Sequence, residues 1–166
     1  METITATIDR DAKRVAFAAA TDQARPVLGC VRIADNKIQA ADGYIMAESV
    51  IKTEGGGSVL IDAALLKKIK VNKYTGSIAA NFNGDVTLTG DMVITTEPQP
   101  GTFPNVSQLY PKGDVVLKIA FGGKKLAQLA KIVGDNLVTL EFYGKSSPVK
   151  FTSGDITGLL MPCFIK

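Results

Sequence analysis

Thr3-Ile4-Thr5-Ala6-Thr7-Ile8-Asp9-Arg10-Asp11-Ala12-Lys13-Arg14 opens with threonine and isoleucine alternating at period two, then turns into a basic segment. The alternation predicts a strand. Asp9 suits the N-cap of a following helix, because a carboxylate there accepts from the free N–H groups of the first turn. Val15, Ala18 and Ala19 fall at i, i+3 and i+4, the apolar stripe of a helix over residues 11–20. The same order returns twice: residues 58–61 lead into a helix over 63–69, and residues 115–120 lead into one over 124–133. Each helix precedes more extended runs. A repeat constrains architecture before any single residue does. The expected fold class is α+β, built from repeated β-α-β-β-β units with antiparallel sheets and with the helices on one face.

The intervening sequence fills in the units. Residues 27–33 and 37–41 predict strands joined through Asp35-Asn36, and residues 44–52 another. Gly55-Gly56-Gly57 precedes a strand and lacks the Gly-Lys-Ser/Thr ending of a phosphate loop, so it reads as a break. Asp62 caps the second helix, with Leu65, Leu66 and Ile69 as its apolar face. Residues 77–82 and 86–89 form a hairpin through Asn83-Gly84-Asp85, with a further strand over 92–96. Pro98, Pro100, Gly101, Pro104, Pro111 and Gly113 then crowd together, a linker that places a boundary near Pro111. Residues 1–110 thus hold two units, a complete domain, and residues 111–166 hold one, half a domain. In that half Leu126, Leu129, Ala130 and Val133 make the helical stripe, and Gly134 ends the helix. Residues 137–143, 149–152 and 158–165 are its predicted strands.

Composition excludes several kinds of function. Of 166 residues, 46% are apolar and 21% charged, as in soluble globular proteins. No apolar run approaches the length of a membrane span, and the first residues lack the basic and apolar regions of a secretion signal. A cytoplasmic location is expected. Histidine is absent, which removes the usual general base and the commonest metal ligand. Cys30 and Cys163 match no metal or redox spacing and read as reduced, small apolar residues. Asp42, Asp85, Asp91, Asp135 and Asp155 mostly stand at turn signals, which explains them better than paired acid–base catalysis does. No catalytic residue, metal site or cofactor is expected, and the chain does not read as an enzyme.

The net charge of +3 says little, but its distribution says more. Residues 63–73 contain Lys67, Lys68, Lys70 and Lys73 without an acid, and residues 123–133 contain Lys124, Lys125 and Lys131 without one. The first helix carries Arg10, Lys13 and Arg14 against Asp9 and Asp11. Any one such helix can be an ordinary solvated face. Recurrence on repeated helices favours a surface that meets an anion, and duplex phosphates suit mobile lysine charges without any sequence readout.

Three stretches resemble bacterial DNA sliding clamps, the beta-clamp processivity factors. Ala24-Arg25-Pro26-Val27-Leu28-Gly29-Cys30-Val31, followed by Lys37-Ile38-Gln39-Ala40-Ala41-Asp42-Gly43, is similar to that family's early signature. Thr102-Phe103-Pro104-Asn105 resembles the turn closing its first domain, and Leu159-Leu160-Met161-Pro162-Cys163-Phe164-Ile165 resembles its last strand. The resemblance implies a DNA-clamp fold, a ring with sheets outside and helices lining a channel around duplex DNA, that tethers a replicative polymerase. It implies that Lys13, Arg14, Lys67, Lys68, Lys124, Lys125 and Lys131 line the channel, joined by Lys70 and Lys73 of the same basic run, and that Arg25 contacts DNA. It implies that Met161, Pro162 and Phe164 belong to a groove for short peptides of polymerase and clamp loader. This chain has about one and a half clamp domains and no counterpart of the middle domain that supplies most of that groove. A half-domain pairing with the same half of another chain gives a homo-oligomeric ring, in which four chains of three units supply twelve helices. The rival expectation is a clamp-fold interaction module that binds or sequesters replication partners without encircling DNA.

Overall fold

The computed structural model describes residues 3–22, 24–71 and 76–164. The chain divides into two compact units, residues 1–110 and 111–166.

In unit 1, β1 (Ile4–Asp9) and α1 (Arg10–Lys13) precede β2 (Cys30–Ala34), β3 (Lys37–Ala41), β4 (Met46–Val50) and β5 (Lys52–Gly55). Then β6 (Ser58–Asp62) and α2 (Ala63–Lys68) precede β7 (Ser77–Asn83), β8 (Asp85–Thr89) and β9 (Val93–Thr96). Two antiparallel sheets result, ordered β5-β1-β7-β8-β9 and β4-β3-β2-β6. Each repeat lends its leading strand to the other repeat's sheet: β1 lies against β7, and β6 lies against β2. The register is the same in both places, because the helix N-cap stands opposite the first residue of the receiving strand, Asp9 opposite Ser77 and Asp62 opposite Cys30. This exchange fuses the two repeats around one core, in which Ile8, Ile33, Ile61, Leu66, Ile78 and Leu88 have no exposed surface.

Both predicted caps form. Asp9 Oδ1 accepts from the Asp11 and Ala12 amides at 3.0 and 2.7 Å, and Asp62 Oδ1 accepts from the Ala64 amide at 2.7 Å. Asp9→Ala should therefore destabilise the chain by about 1 kcal/mol. A lowered denaturant midpoint with an unchanged slope checks this. The Asp35-Asn36 turn is also as expected, with both residues at positive φ (53° and 57°), as a two-residue hairpin turn requires.

Several expectations need correction. The first helix does not reach Ala20: it is α-helical over Arg10–Lys13, tightens to a 3-10 turn over Arg14–Ala18, and turns extended at Ala19. Val15, Ala16, Ala18 and Ala19 are all buried, more than one face of a continuous α-helix can present, so packing overrides the helix. The run at 44–52 breaks at the buried Ile51, where the chain passes from one sheet to the other. Gly55 closes β5 at φ 92°, and a side chain there would collide with the Thr3 carbonyl, so the two strands meet through glycine. The first part of the presumed linker is packed rather than loose. Phe103 and Val106 are buried against Cys30, Ala41 and Leu60, on the face of the β4-β3-β2-β6 sheet away from the main core. Packing on both faces explains the nearly unbroken burial along β2 and β3.

Unit 2 consists of α3 (Gly123–Val133), β10 (Thr139–Glu141), β11 (Val149–Ser153) and β12 (Ile156–Leu160), with the sheet ordered β10-β11-β12 and antiparallel. Its core is Leu129, Val133, Phe151 and Leu160. Half of the predicted helical stripe is bare: Leu126 is 44% exposed and Ala130 is exposed. Residues 115–120 form no strand; Ala120 makes one antiparallel bridge to Cys163. The predicted strand over 137–143 shortens to three residues, and the last strand stops at Leu160. Ile165, the end of the predicted last strand, lies outside the described residues.

Candidate nucleic-acid interface

The cations of unit 1 gather where its two helices meet. The Lys13 ammonium donates to the Lys67 carbonyl at 3.1 Å, which ties α1 to the last turn of α2. Arg10, Lys13, Arg14 and Lys70 line a hollow of about 250 Å³ together with Phe17 and Val71. The Lys67 ammonium lies 5.5 Å from the centroid of the Phe17 ring, a cation–π contact on a ring that is 73% exposed. Lys70 follows the helix rather than belonging to it, and its amide is held by Asp91 Oδ1 at 2.7 Å. Lys68 is exposed on α2. Lys73 lies outside the described residues. Arg25 is exposed beside the Asp42–Ile45 turn, where a side-chain carbon at Gly43 would stand 3.7 Å from its Nη1. Asp42 builds that turn by accepting from the Tyr44 and Ile45 amides, each at 2.8 Å, and these N–H groups, Ile45 first, hold its carboxyl below the usual carboxylate range.

Charges on the sheets are arranged differently. Lys37 and Lys150 reach Glu48 and Glu141 at 2.9 and 3.0 Å, and Arg32 reaches Asp35 at 3.2 Å. The Gln39 amide and then the Lys37 ammonium keep Glu48 below its ordinary range, and the Tyr143 hydroxyl and then Lys150 do the same for Glu141. Among the described residues, the helix cations make one ion pair, Arg14 to Asp11 at 3.1 Å, with both side chains largely exposed. Arg32, Lys37 and Lys150 on the sheets are thus neutralised by local acids, and the helix cations mostly face solvent.

In unit 2 the basic residues separate by face. Lys124 and Lys131 are exposed and stand two helical turns apart on one face of α3. Lys125 instead joins Gln128, Ile132, Leu159, Met161 and Pro162 around a groove of about 460 Å³. So Met161 and Pro162 do come together, with a lysine from the group assigned to DNA at their rim. Phe164 is 90% exposed and does not line this groove. The sequence assigns Phe17, Ile132 and Leu159 no part in a site, since an apolar residue off the stripe gives no pattern of its own.

No protein-family model matches the chain, and no curated protein matches it in sequence. Solved structures do match in fold. The DNA polymerase III beta chain of Streptococcus pneumoniae superposes with a TM-score of 0.68 at 19% identity, over 92% of this chain and 46% of that one. The DNA polymerase sliding clamp of Bacillus subtilis gives 0.65 at 14% identity, over 95% and 49%. The Helicobacter pylori beta clamp, solved bound to a DNA ligase peptide, gives 0.68 at 12%, over 96% and 50%. The chain therefore has the fold of bacterial DNA sliding clamps, across about half the length of the clamps it matches.

Proposed function

We propose that this protein acts as a DNA sliding-clamp-like processivity factor, which encircles duplex DNA without reading its sequence and tethers a replicative polymerase. The observation that carries the proposal is the gathering of Arg10, Lys13, Arg14, Lys67 and Lys70 where the two helices of a clamp-fold unit meet. Ammonium and guanidinium groups so placed would neutralise phosphates and release condensed counterions. Such contacts hold a duplex without discriminating bases. Lysines are compact charges on flexible stems, so no bidentate geometry has to break as the DNA advances. Lys68, Lys73, Arg25, Lys124 and Lys131 extend the same role in this reading, and no residue is assigned any chemistry. The groove of Lys125, Met161 and Pro162 would receive the short peptides by which a polymerase or a clamp loader attaches. Several copies, four in the simplest count, would close a ring in the cytoplasm.

Topology tests the reading. Loaded onto nicked circular duplex, the protein should remain bound through gel filtration at moderate salt. It should be lost once the circle is cut, because an encircling protein leaves through a free end. Equal retention before and after cutting would mean ordinary surface binding, and the encircling proposal would be wrong.

A further inference from the structure

We infer that Phe17 is a stacking platform for one unpaired DNA base, with Arg14 and Lys70 beside it for the phosphates that flank that base. The inference rests on the proposed DNA-facing role of the unit 1 cations, and it adds a preference for duplex that carries a single-stranded extension. Arg10, Lys13, Arg14 and Lys70 line the basic hollow together with an aromatic ring that is 73% exposed. A phenylalanine left in water forgoes the transfer free energy that burial would supply.

The backbone shows how the ring comes to be there. From Arg14 to Ala18 the helix tightens to a 3-10 turn, and its three aliphatic residues, Val15, Ala16 and Ala18, all enter the core. At about three residues per turn, side chains at i and i+3 stand one above the other. Arg14 and Phe17 therefore share a side of the turn, and both are exposed. The tightening that sinks the alanines also aligns a guanidinium with a ring.

Phosphates alone do not account for the ring. The face of an aromatic ring is the negative pole of its quadrupole, so it attracts a cation and repels an anion. Lys67 uses one face in that way, its ammonium 5.5 Å from the centroid. The flat π surface of a base suits the other face, and such stacking is indifferent to base identity, as a binder without sequence readout requires. Inside a duplex each base is already stacked on both sides, so the ring can take only a base that is unpaired. The hollow of about 250 Å³ is smaller than the roughly 300–1,000 Å³ of drug-sized clefts, which fits a single base. Arg14 pairs only with exposed Asp11, at 3.1 Å, and can exchange that carboxylate for a phosphate. Lys13 is instead tied to the Lys67 carbonyl and acts as a strut.

The test separates stacking from charge. Fluorescence anisotropy at one salt concentration compares blunt duplex, the same duplex with a single-stranded overhang, and that duplex with an overhang of abasic nucleotides. The overhangs carry the same phosphates and differ only in their bases. The full chain should bind the base-bearing overhang about tenfold more tightly than the abasic one. Phe17→Ala should bring that ratio to about one without altering the salt slope, since no charge is removed. Phe17→Trp should restore it. Neither variant should disturb the fold, because the ring is mostly outside the core. Iododeoxyuridine in the overhang should cross-link on irradiation to the peptide that contains Phe17. Equal affinity for the two overhangs, or a preference that survives Phe17→Ala, overturns the inference. So does a Phe17→Ala variant that weakens blunt duplex as much as the overhang, since the ring then serves paired DNA. Free iododeoxyuridine monophosphate that cross-links at Phe17 where the strand does not would make a free nucleotide the ligand, and the strand reading would be wrong. Binding to all three DNAs without preference removes the platform and leaves the DNA reading standing. Binding to none overturns the DNA reading, and the platform with it.

Discussion

Reversing Arg14, Lys67 and Lys70 to glutamate together should lower duplex affinity by about two to three orders of magnitude and flatten the salt dependence by a slope of about 3, if the cations of unit 1 face DNA as proposed. Each lost phosphate contact removes roughly 0.9 from the slope of log affinity against log salt, and each new carboxylate adds repulsion. The fold should barely register the change. The Arg14–Asp11 pair is exposed on both sides and worth about 0–1 kcal/mol. The Lys67–Phe17 contact, on a largely exposed ring, is worth about 0.5–1 kcal/mol. The link from Lys13 goes to the Lys67 backbone carbonyl, and Asp91 holds the Lys70 backbone amide, so both survive the substitutions. Lys52→Glu, on the edge strand β5, is the control and should alter the slope by much less than one contact. Fluorescence anisotropy between about 50 and 200 mM salt reads all of this. If the triple variant binds as the parent does, the cations of unit 1 do not face DNA, and the interaction-module reading takes over.

What the sequence revealed, and what it hid, divides along physical lines. Features set by a few neighbouring residues were legible: the Asp9 and Asp62 caps, the Asp35-Asn36 turn, the hairpin through Gly84, and the end of α3 at Gly134. Each depends on a local hydrogen bond or on a φ that few residues adopt. Features set by distant partners were not. The period-two pattern of residues 44–52 is the same whichever sheet a strand joins, so the crossing at Ile51 leaves no mark. The first helix tightens because the core takes four nearby residues at once, a demand invisible at stripe spacing. Residues 115–120 have strong strand character, but a strand forms only against an edge. The candidate interface was legible as charge and not as geometry. Runs without acids identified the basic segments, whereas the seating of Lys70 by Asp91, the approach of Lys13 to α2 and the turning of Lys125 toward a groove all required the fold.

Phe151→Ala should unfold unit 2 and leave unit 1 standing. Phe151 is one of four buried residues in the core of unit 2, and its ring fills the space over Gly158, its cross-strand partner, where even a methyl group would collide with it. Truncating a buried phenylalanine costs about 3–5 kcal/mol. Whole domains are stable by about 5–15 kcal/mol, and a unit with so small a core lies at the bottom of that range or beneath it. Unit 1 spreads comparable losses over a core fused from two repeats, so Leu66→Ala there should lower stability without abolishing structure. Hydrogen exchange separates the two outcomes: amides of α3 and β10–β12 lose protection in the Phe151 variant, while those of β1, β2 and β7 keep theirs. Uniform loss along the chain would mean that the units fold as one. The variant also orders the functional steps. Without a sheet, unit 2 has no frame for Lys124 and Lys131, so retention on circular DNA should vanish. The salt-dependent contacts of unit 1 with short linear duplex should persist, because the cations between α1 and α2 rest on a core that this substitution does not touch.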